Sequence, residues 1–164
     1  MSGMRPLSHQ RSHLSQAIRG YRGYTSSRMA RETDQVFSEE ILSKLSDTMA
    51  TLGRMRRLAG GSLSQETIPG LDSLVQSVDR LAKHVAQCEP ADATLLRTLE
   101  EGKADEIVAL DSAIMEKIGN VNQALSMMDL EAGVGISEDE LESVCELVDD
   151  LADCLRKRSI LVTG

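Results

Sequence analysis

Aromatic side chains are almost absent from this chain. Its 164 residues include no tryptophan, one phenylalanine (Phe37) and two tyrosines (Tyr21 and Tyr24). A core must therefore be built from Leu, Ile, Val, Met and Ala, which suits helices lying side by side with aliphatic knobs between them. Cysteine is also scarce. Cys88, Cys145 and Cys154 form no CxxC and are odd in number, which argues against a disulfide framework and for reduced thiols. Cys145 and Cys154 fall on opposite faces of one expected helix. No apolar run approaches the roughly eighteen residues of a membrane-spanning helix. No alternating run of β-branched residues marks a strand.

One further absence is local. The first thirty-one residues hold six arginines and two histidines but neither Asp nor Glu, and the first acid is Glu32. From residue 34 onward there are 25 acids against 12 bases, so the charge changes sign within one small protein. An acidic body repels nucleic acid and acidic lipid, which leaves only the N-terminal segment for such contacts.

Residues 4 to 18 place Met4, Leu7, Leu14 and Ile18 on one side of a helix, while Arg5, His9, Arg19 and Arg22 lie elsewhere and Arg11 interrupts the stripe. This Arg- and Ser-rich, acid-free start resembles a mitochondrial targeting presequence. Arg22-Gly23-Tyr24 followed by Thr25-Ser26-Ser27 resembles a matrix-protease cleavage pattern, and Arg19-Gly20-Tyr21 repeats the triplet. The resemblance covers residues 1 to 24. It implies a removable leader and a mitochondrial matrix location; without it, a cytoplasmic one is expected. The alternative is a disordered basic tail that binds nucleic acid through Arg5, Arg11, Arg19, Arg22, Arg28 and Arg31, with the tyrosines as stacking platforms. Both readings divide the chain into a basic segment, 1–33, and a helical domain, 34–164.

Four amphipathic helices are expected in that domain. The first runs from Ser38, as cap, to Leu58, with Ile41, Leu42, Leu45, Met49, Leu52 and Met55 buried and Gly60-Gly61 as the stop. The second starts near Pro69, with Thr67 as cap, carries Leu71, Leu74, Val75, Val78, Leu81, Ala82 and Val85, and ends before Pro90. The third opens near Asp92 with Leu95, Leu96 and Leu99, passes Gly102, and continues through Ile107, Leu110, Ile114, Ile118, Val121, Leu125 and Met128. The fourth begins at a Ser137/Glu140 capping box, carries Leu141, Val144, Cys145, Val148, Leu151, Ala152 and Leu155, and closes on Arg156-Lys157-Arg158. The pattern specifies an all-α, antiparallel bundle of about four helices with coiled-coil character. The third helix's narrow stripe reads as a seam for a second copy or another protein.

Chemistry is sparse. Residues 129–140 resemble an EF-hand calcium loop, with Asp129, Glu131, Ser137 and Glu140 at ligand positions. However, Gly133 offers no carboxylate where one is needed, and Val134 replaces the turn glycine. The alternative is a plain interhelical loop followed by the capping box. His9 and His13 read as polar residues of the basic segment, and His84 as a boundary histidine. Phosphate-loop, dinucleotide and nucleophile-elbow patterns are absent. The acids of the fourth helix form a solvated face. Met49, Met55, Met115, Met127 and Met128 read as core filler, with an adaptable binding groove as the alternative.

The expected function is a non-enzymatic helical interaction protein, a subunit or assembly factor of a larger, mitochondrial complex, with no cofactor. Leu74, Val78, Leu81, Ile114, Ile118, Leu125, Val144, Val148, Leu151 and Leu155 carry its packing or its partner. The partner is a protein or a second copy, with nucleic acid disfavoured. The alternatives are a calcium-responsive protein using the 129–140 loop and a nucleic-acid-associated protein using the basic segment.

Overall fold

The computed structural model describes residues 6–62, 67–88, 101–131 and 136–163. Among these are five helices and no strand: α1 Leu7–Ala17, α2 Ser27–Ser62, α3 Thr67–Gln87, α4 Glu101–Glu131 and α5 Glu138–Thr163. Each of the long helices buries residues at intervals of three and four. In α3 these are Leu71, Leu74, Val78, Leu81 and Val85, and in α5 they are Leu141, Val144, Val148, Leu151 and Leu155. The α2/α3 and α4/α5 pairs pack as antiparallel neighbours, α2 also lies on α4, and α3 also lies on α5, which closes a four-helix ring. The short α1 packs outside that ring, against α4.

Several element ends differ from the sequence expectation. Helix α2 starts eleven residues before Ser38, at Ser27, with the Ser26 hydroxyl accepting a bond from the Met29 amide at 3.3 Å. Its buried face begins with Ala30, Thr33, Asp34 and Phe37 before reaching Ile41 and Leu45. Two polar residues on that face hide its helical period from a reading that counts only apolar positions. At the other end the helix carries through Gly60-Gly61 to Ser62. The Ser137/Glu140 capping box forms as expected: the Glu140 carboxylate accepts from the Ser137 amide at 2.9 Å, and the Ser137 hydroxyl accepts from the Glu140 amide at 3.2 Å. The stretch from Asp92 through Leu95, Leu96 and Leu99 lies outside the described residues.

Two expectations about faces are corrected. The stripe of α4 needs no second copy, because α1, α2 and α5 all pack on that helix. Arg158 is not a cation closing a helix end, since α5 continues to Thr163 and buries Arg158 on the same face as Leu151 and Leu155. The methionines divide: Met55 and Met128 are buried, Met49 and Met115 are half-buried, and Met127 is exposed.

The expected boundary between residues 33 and 34 falls inside α2. Leu14, Ile18, Tyr21 and Tyr24, from the segment expected to be a leader or disordered tail, belong to the same buried cluster as the helical stripes. Among the described residues, no helix is long and apolar enough to cross a membrane.

Leu151 faces the bundle interior and is only 1% exposed. Leu151→Asp would place a carboxylate there without a partner, at a cost of several kcal/mol. We expect loss of the cooperative thermal transition followed by circular dichroism; an unchanged midpoint would contradict the assigned face.

Candidate functional site

Among the described residues, the densest polar chemistry lies inside this apolar bundle. Asp111, a third of the way along α4, has no solvent exposure. Its Oδ2 accepts hydrogen bonds from the Tyr21 hydroxyl at 2.8 Å and the Tyr24 hydroxyl at 2.6 Å. Its Oδ1 accepts from Arg158 Nε at 2.5 Å. Arg158 also donates through Nη2 to the Tyr24 hydroxyl at 2.8 Å and pairs through Nη1 with Asp34 of α2 at 2.8 Å. The guanidinium lies over the Phe37 ring, 4.4 Å from its centroid. Tyr21 meets both Tyr24 and Phe37 edge to face. All three aromatic residues of the chain therefore surround one ionic cluster, to which α2, α4, α5 and the α1–α2 connection each contribute.

The tyrosines reach Asp111 because of the repeated triplet. Gly20 and Gly23 both take positive φ, 94° and 84°, a region that costs an L side chain energy but glycine little. Each glycine turns the chain immediately before a tyrosine, so both phenols are aimed inward. Further bonds hold this connection. Thr33 accepts from the Arg22 amide and donates to the Gly23 carbonyl, both at 3.1 Å. Arg11 donates to the Arg22 carbonyl at 2.8 Å. A side chain at position 23 would also crowd Arg11, whose Nε would lie 3.1 Å from the added Cβ.

Burial sets the ionisation of the cluster. It pushes the Tyr21 and Tyr24 phenols far above their ordinary range, and the negative charge of Asp111 pushes them further. It also raises the Asp111 carboxyl, while Arg158 and the two phenol donors pull that group back. Burial alone would lower Arg158, but Asp111, then Tyr24 and Asp34, hold it firmly protonated. The result is a buried ionic network that tethers segments distant in sequence.

Beside the network lies a cleft of about 240 Å³, between the diagonal helices α2 and α5 at the level where α3 ends. Phe37, Ile41, Leu42, Val85, Leu155 and Val162 form apolar walls, and Asp34 and Arg158 reach its edge. His84, Cys88 and Ser159 also line it. The Cys88 Sγ lies 3.8 Å from His84 Nε2 and 3.5 Å from Ser159 Oγ.

The residues singled out from sequence fall into three groups. Leu74, Val78, Leu81, Ile114, Ile118, Leu125, Val144, Val148, Leu151 and Leu155 are all buried between the chain's own helices, so they pack the bundle and are not presented to a partner. Arg11, Arg19, Arg22, Arg28 and Arg31 are exposed, and Arg5 lies outside the described residues. The tyrosines between the arginines are buried, which removes them as stacking platforms. In the calcium-loop candidate, Asp129 and Glu131 stand in the last helical turn of α4, with side chains outside the description. Residues 132–135 are also outside it, and Ser137 and Glu140 bond each other.

Sequence reasoning missed Asp34, Asp111 and Arg158. The signal was present: Asp111 stands four residues after Ile107 and three before Ile114, on the buried stripe, and Arg158 follows Leu155 at the same helical spacing. No family model, no curated protein and no solved structure matches the chain.

The chain has only two tyrosines and no tryptophan, so its near-ultraviolet absorbance reports the network directly. Folding holds both phenol protons, because each phenol pKa is higher folded than unfolded. That contribution to stability is complete below the unfolded value of about 10 and is lost progressively as pH rises above it toward the higher folded value. In an alkaline titration, tyrosinate absorbance should appear only together with loss of helix. Phenols titrating at about pH 10, the ordinary value for free tyrosine, with helicity intact would contradict the network.

Proposed function

We propose that this chain is a non-enzymatic helical interaction protein that acts as a subunit or assembly factor of a larger complex. The observation that carries this reading is the cleft between α2 and α5. Its floor is apolar, formed by Phe37, Ile41, Leu42, Val85, Leu155 and Val162, while polar and charged groups such as Asp34, Glu39, His84 and Arg158 also line it. It opens to solvent, and its shape suits an apolar side chain or a turn of helix from another protein.

The finer part of the reading, a mitochondrial matrix location, rests on the resemblance of residues 1 to 24 to a targeting presequence. Burial of Leu14, Ile18, Tyr21 and Tyr24 gives that proposal a particular form. The amphipathic segment is read before folding and is then retained, because cleavage after Tyr24 would remove two of the three donors to Asp111.

Leu42 lines the cleft and is half-buried, so Leu42→Glu alters the groove while sparing the fully buried core. With helicity and thermal midpoint matched to the parent chain, capture from the native source should lose a partner that the parent retains. Identical partner sets for both chains would contradict docking in this cleft. The same capture reads the mature N-terminus, expected to include Tyr24.

A further inference from the structure

The arginines of the N-terminal segment take no part in the tyrosine–aspartate–arginine network, and the fold gathers them at one end of the bundle. A Cβ at Gly20 would lie 3.4 Å from Val36 Cγ1. Arg22 and Gly23 bond Thr33, and the Ser26 hydroxyl caps α2 at Met29. The connection therefore runs back along the first turns of α2. Leu7 and Arg11 of α1, Thr25 before α2 and Asp105 of α4 line one hollow of about 150 Å³, so the starts of these three helices form a common tip. Among the described side chains of 7–33 and 102–108, the exposed cations are Arg11, Arg19, Arg22, Arg28, Arg31 and Lys103, and the exposed acids are Glu32, Asp105 and Glu106. At the opposite end, residues 138–150 carry seven acids and no Lys or Arg. These outnumber Arg54, Arg56 and Arg57 of α2, so the two ends of the bundle carry opposite charge.

We propose that the basic tip docks on a bilayer containing anionic phospholipids, which the protein meets end-on without spanning it. Two observations favour a lipid surface over nucleic acid. Exposed apolar side chains stand among the arginines: Leu7 is 44% exposed and Met29 is 38% exposed. They are placed to enter the boundary between headgroups and acyl chains while the guanidiniums meet lipid phosphates. The tyrosines on which a single-stranded nucleic acid would stack are instead buried, with their hydroxyls on Asp111. A cation close to an anionic leaflet strengthens binding by about fivefold, and the attraction fades over about 8 Å at physiological salt. The same surface repels the acidic far end, so the charge distribution itself turns the tip toward the membrane. This inference does not rest on the protein partner proposed for the cleft between α2 and α5.

The test uses the full chain and sedimentation with vesicles of phosphatidylcholine, alone or with about 30% phosphatidylserine. The chain should bind only the anionic vesicles, and raising salt from about 0.05 M to about 0.5 M should weaken binding by about tenfold or more. The triple variant Arg19→Gln, Arg22→Gln, Arg31→Gln should bind about a hundredfold more weakly. The pair Arg54→Gln with Arg57→Gln, at the other end of α2, should bind as the parent does. Because the chain has no tryptophan, an introduced one reports its own position. Leu7→Trp should give emission that shifts to the blue on anionic vesicles. Met127→Trp, on an exposed residue at the far end of α4, should give none. All four variants should keep the parent's circular-dichroism spectrum, which separates loss of the surface from loss of fold. Four results would overturn the proposal: equal binding to uncharged vesicles, triple-variant binding within about twofold of the parent, a blue shift from Met127→Trp but not from Leu7→Trp, or tighter binding to single-stranded RNA than to anionic vesicles at equal phosphate concentration.

Discussion

A carboxylate with no exposure, in a bundle made almost entirely of aliphatic side chains, is the constraint on which the rest of this structure depends. Asp111 cannot remain ionised there without compensation. Its compensation comes from three directions: a guanidinium on α5 and two phenols from the connection that precedes α2. Arg158, equally removed from water, is balanced by Asp111 and by Asp34 of α2. Removing one member of such a cluster leaves its partners buried and uncompensated, which typically costs 3–5 kcal/mol, roughly a third or more of a small domain's stability. The network therefore specifies arrangement more than it adds strength. A bundle of interchangeable Leu, Ile and Val stripes can pack in several registers, whereas one in which Asp111, Arg158 and Asp34 must coincide is confined to one.

The same constraint explains where the aromatic residues went. A chain with only three of them places all three around one guanidinium and one carboxylate. Phe37 covers the face of the guanidinium, while Tyr21 and Tyr24 offer an apolar body to the core and a hydroxyl to the charge. The acid-free N-terminal segment thereby becomes two-sided. Leu14, Ile18, Tyr21 and Tyr24 face inward, and its arginines from Arg11 to Arg31 face solvent, at one end of an otherwise acidic body.

Much of the fold was legible in sequence. The stripes of α3 and α5 and the capping box at Ser137 follow from spacing alone; the Leu and most Val positions inferred for them are buried, and Val75, Ala82, Cys145 and Ala152 are half-buried at the stripe edges. The failures share a cause. A segment rich in Arg and Ser and free of acids matches an import leader by composition, but composition does not record that Gly20 and Gly23 turn two tyrosines toward a residue about ninety positions away. Thr33 and Asp34 on the buried face of α2 break an apolar count, so the helix was expected to begin later. Arg158 beside Arg156 and Lys157 looks like a helix-end cation until the burial of Val162 shows that the stripe runs on. In each case the deciding contact is long-range and polar, and local periodicity carries no trace of its partner.

The account makes the N-terminal connection part of the cooperative unit rather than an appendage to it. Native-state hydrogen exchange of the full chain tests this most directly, because amides that open only with global unfolding share one free energy. The account predicts that the amides of Ile18 and Tyr21, which bond the Leu14 and Ile18 carbonyls, exchange with the same protection as the cores of α4 and α5. Exchange of those two amides at the rate of an unstructured chain, while α4 and α5 stay protected, would contradict it.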